Sequence, residues 1–157
     1  MAVLHLMVGL PGSGKTTRAK ALAAETGALR LTPDEWQNRL FSDDMHHPDH
    51  DRRHSEIEAL MWEIATAFLG AGGDVILDFG FWTRAERASF ARRAEAMGAQ
   101  CRIHYEDIAL DELERRVSAR NATAAGGHFV IPLDNLRQWA KVFQPPDAEE
   151  LSGRFTA

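Results

Sequence analysis

The sequence predicts an α/β fold of three layers, with a central parallel sheet of four or five strands between helices. Short apolar runs alternate with longer segments of helical period, the pattern of strand–helix–strand units. A glycine-rich loop joins the first apolar run to the first helical segment, where helix N-termini bind anions. Val3 to Val8 is the first strand and ends in Gly9. Lys15 to Thr26 reads as a helix, with Gly27 as its stop. Ala28 to Thr32 is the candidate second strand. Ser42 to His54 is polar, lacks apolar periodicity and carries Pro48, so a long loop or flap is predicted. In Ser55 to Leu69, Ile57, Leu60, Met61, Ile64 and Phe68 fall at three- and four-residue spacing, predicting one apolar helix face. Asp74-Val75-Ile76-Leu77-Asp78 has the signature of a buried strand with carboxylates at its ends. Thr83 to Met97 follows as a helix, and Gln100 to Tyr105 as the fourth strand. Asp111 to Arg120 reads as a helix opened by a capping box of Asp111 and Glu114. Leu133 to Phe143 is the last helix, stopped by Pro145 and Pro146. His128 to Ile131 is either a fifth strand or part of a lid connection.

Composition narrows the function classes. A chain of 157 residues, 45% hydrophobic, has enough sequence for one buried core. The net charge of −5 argues against non-specific nucleic-acid binding, though a local basic cleft stays compatible with it. One cysteine, Cys101, excludes an internal disulfide, so the reducing cytoplasm is the expected compartment. The N-terminus lacks the basic region and cleavage site of a signal peptide, and no stretch has the ~18 apolar residues of a membrane span.

Gly9-Leu10-Pro11-Gly12-Ser13-Gly14-Lys15-Thr16 fits G-x-x-x-x-G-K-[ST] at every fixed position. The glycines let the backbone curl so that amide N–H groups point inward at phosphate oxygens. Gly9, Pro11, Gly12, Ser13 and Gly14 are therefore expected to cradle a nucleotide, with Lys15 on the β and γ phosphates and Thr16 on Mg²⁺. Thr17 is counted with them, although a helix residue turned to the core or backbone is its other reading. Asp78, ending its strand, is the candidate second holder of Mg²⁺. Asp34 follows the second strand and falls on the same rim of a parallel sheet. It is either the acceptor of a hydroxyl proton or the N-cap of a helix starting at Glu35. Arg116 and Arg120 share a helix face and could close over the nucleotide; Glu112 could instead pair with Arg116, and Arg115 reads as a solvated charge.

These residues together resemble a known family. The chain is similar to the small P-loop kinase-like, AAA-type ATP-binding proteins grouped with the kinase domain of phage-type polynucleotide kinase. More distant likenesses are chloramphenicol phosphotransferase, gluconate kinase and zeta toxins. The resemblance runs through the phosphate loop, Thr32-Pro33-Asp34, Asp74 to Asp78 with Phe81-Trp82-Thr83-Arg84-Ala85-Glu86-Arg87, Arg116 to Asn121, and Phe143-Gln144-Pro145-Pro146. It implies a P-loop NTPase fold with a helical lid near residues 115–130 and a flap at 42–54, in one domain of residues 1–157. It implies Asp34 as general base, Arg84 and Arg87 as substrate contacts, and Arg120, with Arg116, as lid arginines on the triphosphate. It implies that the Asp78 strand neighbours the phosphate-loop strand. Polynucleotide kinases carry an arginine soon after the base; here only Arg39 could serve, which counts against a nucleic-acid substrate.

The expected activity is transfer of the γ-phosphoryl of Mg-ATP to a hydroxyl of a small molecule. A polynucleotide 5′-hydroxyl kinase and a non-catalytic ATP-binding switch are the alternatives. No N-K-x-D sequence for guanine is present, which favours adenine, and Gln144 to Pro146 is the candidate adenine contact. The flap is acidic and rich in histidine, and would repel a polyanion; His46, His47 and His50 also have metal-ligand spacing. Trp36, Phe41, Trp62, Phe79, Phe81 and Trp82 could line a pocket for a ring, Trp82 most directly, while core packing is the preferred reading of Trp62. Cys101 is expected to be buried and inert.

Overall fold

The computed structural model describes residues 1–42, 45–123 and 129–155. Along the chain run β1 (Val3–Val8), α1 (Lys15–Thr26), β2 (Leu29–Leu31), α2 (Pro33–Phe41), α3 (His50–Gly70) and β3 (Val75–Gly80). Then come α4 (Arg84–Ala96), β4 (Gln100–Tyr105), α5 (Leu110–Thr123), α6 (Leu133–Val142) and α7 (Ala148–Leu151). The strands form one parallel sheet in the order β2-β3-β1-β4. The phosphate-loop strand and the Asp78 strand are therefore neighbours, as expected.

Burial on both faces explains the continuous apolar runs. Leu4, Leu6, Val75 and Leu77 point to one face, against Ile57, Met61, Ala65 and Leu69 of α3 and Ala94 of α4. Met7 and Ile76 point to the other, against Ala19 of α1. A third cluster joins Leu10 of the loop to Leu113 and Val117 of α5 and Leu136 of α6. That cluster fastens two helices over the carboxyl ends of the strands. The β1–β3 register shifts between Leu6 and Val8, and Asp78 and Phe79, the β3 residues at that irregularity, line a cavity.

Several expectations need correction. Among the described residues the sheet has four strands: Phe129 to Ile131 is irregular, and His128 lies outside the described residues. The helix after the flap begins at His50, so the loop spans 42–49; Asp43 and Asp44 lie outside the described residues. The buried stripe of α3 is Ile57, Met61, Ala65 and Leu69, while Leu60, Ile64 and Phe68 are exposed. A small alanine and a terminal leucine carry the packing that larger side chains suggested. Asp111 lies inside α5, and Glu114 is drawn off to Arg137 of α6 (2.7 Å), so no capping box forms there. The capping box belongs to α7, between Asp147 and Glu150. No described helix is long and apolar enough to cross a membrane.

Candidate active site

The phosphate loop is built by contacts that leave no room for side chains. Gly9 has φ +153°, and a Cβ on it would stand 2.5 Å from Ser13 Oγ. Gly12 has φ +85°, and its Cβ would stand 3.1 Å from Val117 and 3.2 Å from the Leu113 carbonyl. The loop is thus folded against α5 as closely as backbone permits. Gly9 N–H donates to the Gly80 carbonyl (3.0 Å), tying the loop to the end of β3. Ser13 N–H donates to the Leu10 carbonyl (3.2 Å) and closes the turn into α1.

Beside the loop, Thr16 Oγ1 donates to Asp78 Oδ2 (2.7 Å), and Thr32 Oγ1 donates to the same oxygen (3.2 Å). Asp78 is buried, and its Oδ1 has no hydrogen-bond partner. Among the described residues, the other buried side-chain atoms without a partner are Ser13 Oγ and Arg120 Nε. Ser13 belongs to the loop, Asp78 is bonded to its Thr16, and Arg120 has Asp34 as its electrostatic counterpart. Buried polar atoms left unsatisfied together mark a place built for a polar ligand. A hydroxyl and a carboxylate 2.7 Å apart, with a free carboxylate oxygen, are a hard oxygen donor set that suits Mg²⁺ with water completing its shell.

Of the two α5 arginines expected over the nucleotide, Arg116 reaches the loop. Arg116 donates through Nη1 to the Gly12 carbonyl (3.2 Å) and through Nε to Glu112 (2.7 Å), so the Glu112 pairing and the loop contact coexist. Arg115 shares Glu112 on the solvent side. Arg120 is half-buried; burial presses its guanidinium below its ordinary range, and only Asp34 opposes this. Thr17 is exposed in the first turn of α1 rather than turned to the core.

Asp34 is not the N-cap. Thr32 takes that position, Pro33 starts α2, and Asp34 follows in the first turn with its side chain 62% exposed. A cavity of about 310 Å³ opens there, lined by Pro11, Lys15 and Asp78 together with Asp34 and His54. Phe79, Trp82, Phe129 and Trp139 supply aromatic walls, and the Trp82 and Trp139 rings lie 5.4 Å apart. Phe81 is buried in the core instead, and Trp62 packs edge-on against Phe90.

Sequence reasoning missed the side chains behind Asp34. Buried Gln37 donates from Nε2 to the His50 carbonyl (2.9 Å), which turns its Oε1 to His54 Nδ1 (3.0 Å). The other nitrogen of His54 meets Glu58 Oε1 (3.1 Å), and Asp34 Oδ1 lies 3.7 Å from Nδ1. Burial pulls the imidazole down, but Glu58, Asp34 and Asp51 outweigh it and hold His54 above its ordinary value. Two acceptors facing both ring nitrogens favour the imidazolium. The i, i+4 spacing of His54 and Glu58 was the available signal.

Three arginines assigned to substrate lie elsewhere. Arg87 is fully buried and makes a bidentate pair with Glu150 (2.7 and 3.1 Å). Its Nη1 also donates to the carbonyls of Phe81 (3.0 Å) and Gln144 (2.8 Å). Arg87 therefore pins the end of β3 to the C-terminal segment. Arg84 pairs with Asp147, and Arg39 is exposed in the last turn of α2; neither lines the cavity. Gln144 has its N–H on the Trp82 carbonyl (2.8 Å) and its own carbonyl on Arg87, so its backbone is committed away from a base. Pro145 lines a separate pocket of about 160 Å³ with Gly9, Ser13 and Tyr105. Among the described residues no group of three metal-ligating side chains gathers, which removes the His46–His47–His50 site. Cys101 is half-buried, and burial pushes its thiol to about 12, consistent with an inert residue.

The sequence matches the AAA domain family over residues 4–146. The chain belongs to that family. No curated protein matches it significantly. Among solved structures, a presumptive kinase from Chloroflexus aurantiacus is similar at TM-score 0.74 and 20% identity, over 92% of this chain and 82% of that one. A gluconokinase from Sinorhizobium meliloti gives 0.57 and 19%, over 94% and 77%. Kti12 from Chaetomium thermophilum, in complex with ADP-AlF3, gives 0.61 and 18%, over 92% and 81%. The fold of this AAA-domain chain is accordingly that of a P-loop kinase-like protein.

Proposed function

We propose that this chain is a phosphotransferase moving the γ-phosphoryl of ATP to a hydroxyl of a small molecule, in the reducing cytoplasm. The observation that carries the reading is one cavity lined together by Lys15 of the phosphate loop, Asp78 and Asp34. Gly9, Pro11, Gly12, Ser13 and Gly14, with Thr17 beside them, would hold the triphosphate, and Lys15 would bind its β and γ oxygens. Thr16 and Asp78 would hold Mg²⁺, which supplies charge neutralisation at the transferring group. The acceptor hydroxyl gives its proton to the Asp34 carboxylate as its oxygen bonds to the γ-phosphorus. The bond from that phosphorus to the β–γ bridging oxygen breaks, and ADP leaves. Arg120 would offset charge on the transferring group, a role supported by its Nε lacking a hydrogen-bond partner and by Asp34 as its electrostatic counterpart. Arg116 steadies the loop through the Gly12 carbonyl.

Measuring ADP release from Mg-ATP with a panel of hydroxyl acceptors tests this, with Lys15→Ala as the blank. Asp34→Asn should bind ATP normally and lose about 10²- to 10⁴-fold in transfer. Full transfer by Asp34→Asn would remove the base assignment. Tight ATP binding with no product from any acceptor would favour a nucleotide switch.

A further inference from the structure

Away from the phosphate loop, the lining of the cavity has a chemistry of its own. Its apolar wall is Phe79, Trp82, Phe129 and Trp139, extended by Met45 and Ile131. Among the described lining residues Lys15 is the sole lysine or arginine, and it sits in the phosphate loop. Of the arginines expected to contact substrate, Arg87 is committed to Glu150 and Arg84 to Asp147, and Arg120, which has Asp34 as its electrostatic counterpart, is not among the residues lining the cavity. The polar groups left for an acceptor are few. Both ring nitrogens of His54 are engaged by Gln37 and Glu58, and the His50 ring stands edge-on to Phe129 at 5.0 Å. Asp34 and Asp51 provide carboxylates.

We infer that the acceptor is a compact, unphosphorylated aromatic alcohol, and that an amine on it strengthens binding. The inference rests on the phosphotransfer reading for its reaction, but not for its binding. A sugar would bring four or five hydroxyls against six apolar side chains and leave most of them unpaired, each at a desolvation cost. A polynucleotide would bring phosphates to a surface that offers them carboxylates. A ring stacks on the tryptophans, and an ammonium group sits well between aromatic faces and carboxylates. A cavity of about 310 Å³ is at the small end of ligand sites, which fits a single ring.

The test uses the full chain with Mg-ATP and five probes: 2-phenylethanol, phenylalaninol, glucose, gluconate and a 5′-hydroxyl oligothymidylate. ADP release gives kcat/KM, and intrinsic tryptophan fluorescence gives binding independently of turnover. The two aromatic alcohols should exceed the other probes by about tenfold or more in kcat/KM, phenylalaninol leading. Trp82→Ala should raise the KM for phenylalaninol about tenfold with kcat changed much less, and Trp82→Phe should restore it. The fluorescence change on adding 2-phenylethanol should vanish in the Trp82→Phe, Trp139→Phe double variant. Equal or better turnover of glucose, gluconate or the oligonucleotide would overturn the inference and leave phosphotransfer standing. Binding of phenylalaninol with no ADP release from any probe would keep the pocket assignment and overturn phosphotransfer. The absence of both binding and turnover of the aromatic probes would overturn the inference.

Discussion

Replacing Arg87 by methionine should unfold the protein more readily without weakening nucleotide binding. Arg87 is fully buried and makes two hydrogen bonds to Glu150 and two to the carbonyls of Phe81 and Gln144. Methionine fills similar space but leaves the buried Glu150 carboxylate uncompensated and both carbonyls without that donor. Breaking one side of a buried pair costs about 3–5 kcal/mol. Phe81 adds to this, because it holds a left-handed backbone (φ +46°) that its burial and the Arg87 bond keep in place. At about 2–4 °C per kcal/mol for a chain of this size, the melting temperature should fall by roughly 6–20 °C. Calorimetry measures the shift, and titration with ATP at a temperature where both proteins are folded measures the site. Arg87→Met paired with Glu150→Leu should recover much of the loss, since neither charge then remains buried alone. A melting temperature within about 2 °C of wild type, together with a raised acceptor KM, would refute the reasoning and return Arg87 to the substrate.

Other outcomes follow from the same geometry. Gly12→Ala should weaken ATP binding by about tenfold or more in isothermal titration, because the Cβ meets Val117 and the Leu113 carbonyl at positive φ. His5 Nδ1 and His104 Nε2 lie 2.9 Å apart on β1 and β4. Burial pulls both down, His104 to about 4. Both are depressed, so their contribution to stability is present above the unfolded value near 6.5 and lost as pH falls toward 4. Melting temperatures between pH 7 and 5 should fall less in His104→Gln than in wild type. His54 has the opposite sign: its value is raised, so its contribution is full below about 6.5 and lost as pH rises through the higher folded value. His54→Gln should therefore lose more melting temperature at pH 6 than at pH 8.5; an equal loss at both would remove its charge from the account.

The sheet and the phosphate loop were legible because each rests on local, periodic signals. Val75 to Leu77 had to be buried on both faces, and the loop spacing admits few other uses. The arginines were not legible. Arg84 and Arg87 stand on the helix after β3, where exposure could not be read from spacing. Glu150 lies 63 residues from Arg87, and a short terminal helix carries it. The fifth strand failed for a related reason: Phe129 to Ile131 is apolar enough for a strand, but Ile131 is instead tied to Asn121 by bonds at both its N–H (3.0 Å) and its carbonyl (2.7 Å). Those bonds consume the backbone groups that a ladder would need. The His54 network escaped notice because a polar, aperiodic stretch hid the first turn of α3 inside an apparent flap.

The corrected positions sort charge along the rim of the sheet. Lys15, Arg116 and Arg120 come from the loop and α5, on the side of β1 and β4, and would face a triphosphate. Asp34 and Asp51 come from α2 and α3, beyond β2 and β3, and line the cavity. Asp78 lies between them at the end of β3, with one oxygen bonded to Thr16 and Thr32 and the other unpartnered. The strand order produces this division, because parallel strands deliver their following loops to one edge in the order in which they pair. The two sides then favour opposite charges. Under the phosphotransfer proposal, a polyanion would be drawn to the loop and repelled from Asp34, which would favour the nucleotide on the loop side. Under the phosphotransfer proposal, a substrate phosphate would meet the carboxylates of Asp34 and Asp51, and the cations near it, Lys15 in the cavity lining and Arg120 beside Asp34, would be engaged by the nucleotide. Charge placement thus argues for an unphosphorylated acceptor independently of the aromatic walls.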